Sequence, residues 1–243
     1  MNTAILYGGI SGLALLVGAG SGILLKLKQK SIARIMAFGS GVLICAITIG
    51  LMEEAFGLGG FDAITVGFLI GGLVFIGGDY LIHITGGRSH KRKTLQQSSS
   101  DANGLAITLG AVLDAIPEAI ALGVAIFMGG GTGLLILSAI VLSNFPEGIS
   151  SITGLKKIGF SNLKILGIWL LVGLVMIAIT ILSYAFLHDI SGNWIAIIES
   201  FAAGAVLAML ADTMMPEAFE EGGFSIGLLT TLGFLVAFII SKL

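Results

Sequence analysis

Eight stretches of this chain run for about twenty residues or more without a lysine or arginine, and they decide its solvent before anything else does. They fall at 3–25, 35–58, 61–84, 103–128, 132–155, 165–187, 194–216 and 223–241. A helix crosses the ~30 Å hydrocarbon core with about 20 apolar residues at 1.5 Å rise each. Barrel strands would be about half as long and would alternate in polarity, so the expected class is an all-α multipass membrane protein of eight transmembrane helices. Composition agrees: 56% of residues are hydrophobic and 11% charged, against roughly a quarter charged in soluble domains. One transmembrane domain, 1–243, is expected, with one substantial polar connection at 86–102 containing Gln96, Gln97 and Ser98. The first run lacks a basic leader and an Ala-x-Ala site, so it is expected to be a retained helix rather than a signal peptide.

The basic residues gather in three places: Lys26, Lys28, Lys30 and Arg34; Arg88, Lys91, Arg92 and Lys93; and Lys156, Lys157 and Lys164. These are the connections after the first, third and fifth runs, which all lie on one side of a membrane. The positive-inside rule makes that side cytoplasmic and puts both termini outside, in a plasma (inner) membrane. The formal net charge of −2 argues against a nucleic-acid partner. Cys45 is the single cysteine and reads as a small core residue.

Part of the sequence repeats. Phe38-x-x-Gly41-Val42-Leu43, ending in Met52-Glu53-Glu54-Ala55-Phe56, recurs 163 residues later as Phe201-x-x-Gly204-Ala205-Val206, ending in Met215-Pro216-Glu217-Ala218-Phe219. With the topology above the two copies run in opposite directions, which predicts inverted repeats of helices 1 to 3 and 6 to 8 around helices 4 and 5.

Those two middle helices carry the chemistry. Leu113-Asp114-Ala115-Ile116-Pro117-Glu118 in the fourth run is echoed by Leu142-Ser143-Asn144-Phe145-Pro146-Glu147 in the fifth. Each motif sits near the middle of its span, so Glu118 and Glu147 are expected at similar depth. Asp114 and Ser143 precede their glutamates by four residues, which places each pair on one helix face, with Asn144 beside them. Each proline removes an N–H and displaces the carbonyl four residues back, so loose Leu113 and Leu142 carbonyls are expected to line a cavity in broken helices. A carboxylate at the bilayer centre costs roughly 2.5–3.5 kcal/mol, and a divalent cation among several would compensate.

The paired motifs resemble those of the ZIP family of divalent-metal transporters, whose fourth and fifth helices carry His-Asn-x-Pro-Glu-Gly-like sequences. The likeness extends along the chain: eight helices, a long connection after the third, a three-two-three repeat, and a seventh helix ending in Met215-Pro216-Glu217. The resemblance implies metal ligands at Asp114, Glu118, Ser143, Asn144 and Glu147, and alternating-access movement of metal toward the cytoplasm. Departures sharpen this. Asp114 stands where His is usual and Ala115 where Asn is usual, and the sixth run has no acid to complete a second metal position. One oxygen-lined site is therefore expected. Its substrate is Zn, Fe, Mn or Cd, with hard donors favouring Mn or Fe(II) comparatively. No cofactor is expected beyond the transported ion; partners are that ion and the lipid bilayer, with a homodimer allowed.

Asp79, His83, Asp212 and Glu217 form a candidate exit path. Glu53, Glu54, Asp62, Asp189 and Glu199 are expected at or near the outer surface, explained equally by a cation-attracting rim or by plain solvation. His188 reads as a surface residue, and Trp169 and Trp194 as interfacial anchors. The rival reading is a proton-coupled transporter of another solute, with the same acids as a proton relay. An enzyme is not expected: His-Glu-x-x-His and Gly-x-Ser-x-Gly are absent, and Ile76-Gly77-Gly78-Asp79 lacks the first glycine of a Gly-x-Gly-Asp protease motif.

Overall fold

A computed structural model describes residues 1–25, 27–84, 100–129 and 131–242, with the side chains of His83 and of 100–106 outside the described set. The described residues form helices and no strand: α1 (Asn2–Leu24), α2 (Gln29–Cys45), α3 (Glu53–Ile84), α4 (Ser100–Met128), α5 (Thr132–Lys157), α6 (Asn162–Phe186), α7 (Gly192–Met209), α8 (Met215–Gly222) and α9 (Ser225–Ser241). Six helical runs are long and apolar enough to cross a membrane, and the 17-residue α9 is a shorter apolar helix. The expected loop at 86–102 lies outside the described residues up to position 99.

One of the six runs, Gln29–Ile82, has 54 residues. At 1.5 Å per residue it would measure about 80 Å if straight, far more than a bilayer core. It turns at Gly60, whose φ of 63° and ψ of −164° interrupt the helix. Only glycine adopts that conformation cheaply. The apolar run from 35 to 58 thus passes through a π-helical segment, Ala46–Met52, before the kink at Gly60.

The second copy of the sequence repeat is built the same way. Helix α7 continues through a π-helical segment, Leu210–Met214, into α8, and the chain turns at Gly223 with φ 64° and ψ −148°. Gly60 and Gly223 are 163 residues apart, in matching Gly-Gly-Phe sequences that extend the repeat. Packing matches too. A Cβ on Gly41 or Gly233 would fall on the backbone carbonyl of Thr230 or Phe38, so α2 and α9 touch main chain to main chain. Gly204 and Gly71 meet the carbonyls of Phe68 and Phe201 in the same manner, joining α7 to α3. Small residues let helices approach this closely where lipid supplies no hydrophobic drive between them.

The outward faces are apolar instead: Leu13, Leu73, Leu174, Leu228 and Ile240 are each more than half exposed. A surface of that kind suits a lipid solvent and would be a liability in water. Inside, α1, α2, α6 and α7 pack around α4 and α5, and Ala, Ile and Leu side chains of these helices form the largest buried cluster. Trp169 belongs to that cluster: it is 1% exposed, and its Nε1 donates to Ser151 Oγ at 3.1 Å. It is a core residue of the α5–α6 contact rather than an interfacial anchor. Trp194, at the start of α7, is exposed as expected. Cys45 is a buried free thiol.

Two hydrogen bonds fix the ends of the bundle. Gln29 Nε2 donates to Thr153 Oγ1 at 3.0 Å, which brings the start of α2 beside the end of α5. The basic groups Lys28 to Arg34 and Lys156 to Lys164 therefore share one end. At the other end Thr132 Oγ1, at the start of α5, donates to Glu54 Oε1 at 2.9 Å. The basic cluster at 88–93 lies outside the described residues.

Candidate functional site

The two Pro-Glu helices meet in the core. Ser143 Oγ of α5 donates to Glu118 Oε1 of α4 at 3.1 Å, and Ile140 O lies 2.9 Å from the same hydroxyl. One hydroxyl hydrogen faces two acceptors, so it serves only one at a time and can turn from the carboxylate to its own helix. Glu118 and Ser143 are 2% and 0% exposed, and Asp114 and Asn144 are buried with them. Glu147 is half-buried. The Glu118 carboxyl feels the charges of both Glu147 and Asp114 and has Ser143 and Asn144 against it. The five residues singled out by the sequence thus gather about one carboxyl group.

They do not form a ready-made cage of acids. Among the described residues, no three His, Cys, Asp or Glu side chains converge closely enough to hold a metal ion by themselves. The other donors are consequently important. Asn144 Nδ2 donates to Ser11 O of α1 at 3.3 Å and faces Met176 Sδ of α6 at 3.5 Å. Its Oδ1 is buried with no hydrogen-bond partner among the described residues. A buried amide oxygen left unpaired costs about 1–3 kcal/mol, and an electropositive occupant would recover it.

Sequence reasoning looked on the sixth helix for an acid and passed over Met176, which is fully buried and reaches Asn144. Its signal was its place, the single methionine of that helix, in the middle of an aliphatic stretch from Leu170 to Ile179. Thr180, one turn further along α6, donates to Ala119 O at 3.3 Å, tying α6 to the residue after Glu118.

The prolines behave differently from expectation. Helices α4 and α5 run without interruption through Pro117 and Pro146, so neither is broken. The Leu142 carbonyl is met by α2: Gly39 lies close enough that a Cβ there would sit 2.8 Å from the oxygen. A neighbouring helix packs directly over the carbonyl that the proline leaves without its usual partner.

Comparison of the sequence with protein families and with curated proteins returns no match. The site is accordingly read from its own chemistry.

Of the candidate exit path, Asp79 on α3 is buried, Asp212 in the π-helical Leu210–Met214 and Glu217 in α8 are half-buried, and the side chain of His83 lies outside the described residues. Glu53, Asp62, Asp189 and His188 are exposed, as a solvated rim requires. Glu199 departs from that group. It is 0% exposed, on a helix that packs closely along α3. Glu54 is half-buried rather than solvated.

Proposed function

We propose that the chain is a carrier of a divalent metal cation, with Glu118, Glu147 and Asp114 as charged ligands and Ser143 and Asn144 completing the shell. The observation that carries the reading is the buried meeting of the two Pro-Glu helices, where Ser143 bonds Glu118 beside an Asn144 oxygen that has no partner. Anionic oxygens drawn into an apolar bundle are costly unless a cation or proton neutralises them. An arriving ion takes the Glu118 carboxylate, the Ser143 hydroxyl turns its hydrogen to Ile140 O, and its lone pairs and Asn144 Oδ1 point to the ion. Glu147 and Asp114 close in by the small movement that the unconverged acids still need. When the ion leaves, protons neutralise the carboxylates.

The same reading sets the architecture. The turn at Gly60 divides Gln29–Ile82 into two crossings, and the apolar α9 adds one more, so the six long runs become eight. The matched π-helical segments, glycine turns and glycine contacts support a three-two-three arrangement in which helices 1 to 3 and 6 to 8 are inverted repeats flanking α4 and α5. The shared end of Lys28 to Arg34 and Lys156 to Lys164 is the cytoplasmic one, which leaves both termini outside. Resemblance to ZIP transporters in the two Pro-Glu motifs supports inward metal movement by alternating access. Zn, Mn, Fe and Cd are the candidate substrates; hard oxygen donors favour Mn and Fe(II), and the Met176 thioether beside Asn144 keeps softer ions in play.

Uptake of Zn, Mn, Fe(II) and Cd into proteoliposomes tests the proposal with the intact protein, Glu118→Ala and Glu147→Ala. Metal uptake that depends on both glutamates supports it. Equal uptake in both variants, or an intact protein that binds none of the four ions, removes it; the second result would favour a proton relay serving another solute.

A further inference from the structure

Glu54, in the first turn of α3, and Glu199, early in α7, make a second carboxyl pair at the end of the bundle where α5 begins. Glu54 Oε1 accepts the Thr132 hydroxyl, and Thr132 is eleven residues before Ser143, about 16 Å along α5 from the Pro-Glu cluster. Glu199 is 0% exposed, and both its oxygens lack a hydrogen-bond partner among the described residues; so does Glu54 Oε2. Glu199 nevertheless lies within hydrogen-bonding reach of Glu54, which is its charged neighbour.

Two ionised carboxylates only accept, so their contact becomes a bond when one of them carries a hydrogen. Among the described residues no cation is placed to do this instead. The flanking stretches, 46–52, 119–128, 132–146 and the rest of α7, contain no titratable side chain, and the acids Glu53, Asp62 and Asp189 nearby in sequence are exposed. The α3–α7 contact continues into Ala55, Ala63 and Ala196 with Ile64 and Ile197, which offer an ion no further ligand. Hard divalent ions take about six oxygen ligands, and two carboxyls with one hydroxyl fall short.

We propose that Glu54 and Glu199 are a proton-binding site, one proton shared between the two carboxyls, which clasps α3 to α7 while Thr132 ties the clasp to α5. Loss of the proton leaves two negative charges facing each other without donors, and their repulsion loosens this end of the bundle. The geometry stands apart from the Pro-Glu cluster and does not depend on which ion that cluster takes.

Infrared difference spectroscopy of the full chain in lipid nanodiscs, followed as pH is raised, reads the shared proton directly. The intact protein is expected to show a buried protonated-carboxyl absorption that disappears on deprotonation. That contribution is lost in Glu199→Gln and equally in Glu54→Gln, and is kept in Glu53→Gln; a protonated Glu118 in the metal-free protein adds an absorption of its own, which Glu118→Gln removes. Two variants on different helices guard against a folding failure in one. The intact protein alone overturns the inference if it shows no protonated-carboxyl absorption at any pH where it is folded. So does an absorption that Glu199→Gln and Glu54→Gln both leave at full intensity when made in the Glu118→Gln protein. Equilibrium binding of Mn²⁺ that saturates at one ion fewer in Glu199→Gln than in the intact protein also overturns it, by making the pair a cation site. A failed metal reading would show instead as undiminished Mn²⁺ binding in Glu118→Gln.

Discussion

Glu118 and Glu199 are both carboxyl groups sunk in apolar helices, 2% and 0% exposed, yet one is met by donors as well as acids and the other by an acid alone. Around Glu118 stand a hydroxyl that can turn and an amide whose oxygen is unpaired. Around Glu199 there is Glu54, beyond it the Thr132 hydroxyl, and then alanines and isoleucines. Burial alone does not tell what such a group binds. Adjustable neutral donors let a carboxyl group exchange a proton for a cation, whereas a facing acid without such donors favours keeping the proton.

The sharpest contrast is in metal affinity. Glu118→Ala and Glu147→Ala are expected to weaken Mn²⁺ or Zn²⁺ binding by at least about 100-fold, since even residues that only support a metal's ligands are worth 10–100-fold. Glu199→Gln should cost at least about tenfold less. Isothermal titration of the purified variants checks this, and similar losses at Glu118 and Glu199 would erase the distinction between the clusters. The next effect is smaller. Ser143→Ala removes the turning hydroxyl and leaves the carboxylates, so metal binding should weaken about tenfold, in line with the ~1.5–3 kcal/mol of a hydrogen bond to a charged group. A hydroxyl that matters only for folding would shift the melting temperature and leave the affinity alone.

Met176→Leu keeps volume and removes sulfur. It is expected to reduce binding of Cd relative to Mn by about threefold, because a thioether favours soft ions and a leucine favours neither. Competition between the two ions for the purified protein measures the ratio directly. An unchanged ratio would confine Met176 to packing against Asn144.

Much of this was legible in the sequence because apolar run lengths and the positions of Pro117-Glu118 and Pro146-Glu147 are one-dimensional facts. The repeat was legible as far as Phe56 and Phe219. Its deeper extent was not, since the shared turn at Gly60 and Gly223 shows in their dihedral angles, and Gly-Gly-Phe in an apolar chain reads equally well as packing. Pro117 and Pro146 announced broken helices, but a break follows only if nothing else accommodates the lost bond, and Gly39 supplies cover for Leu142. Glu199 and Trp169 were misplaced for a common reason. Position along a helix predicts depth, whereas burial depends on which neighbouring helix lies across that face, and contacts such as α3 on α7 are set far away in sequence.

Thr132 gives the finest test of the comparison, because it serves the acid pair as Ser143 serves the Pro-Glu cluster while standing outside both carboxyls. Thr132→Val is nearly isosteric and removes only the hydrogen bond to Glu54 Oε1. That carboxyl is half-buried, so the loss should be about 1 kcal/mol of stability, read as a small drop in melting temperature in the same lipid. The more telling readout is the infrared absorption of the shared proton. With Thr132 gone, Glu54 Oε1 keeps fewer donors and the proton between Glu54 and Glu199 becomes the pair's principal bond, so its absorption should persist and shift in frequency. An absorption that vanishes in Thr132→Val would mean that the hydroxyl, and not the facing acids, organises this end of the bundle.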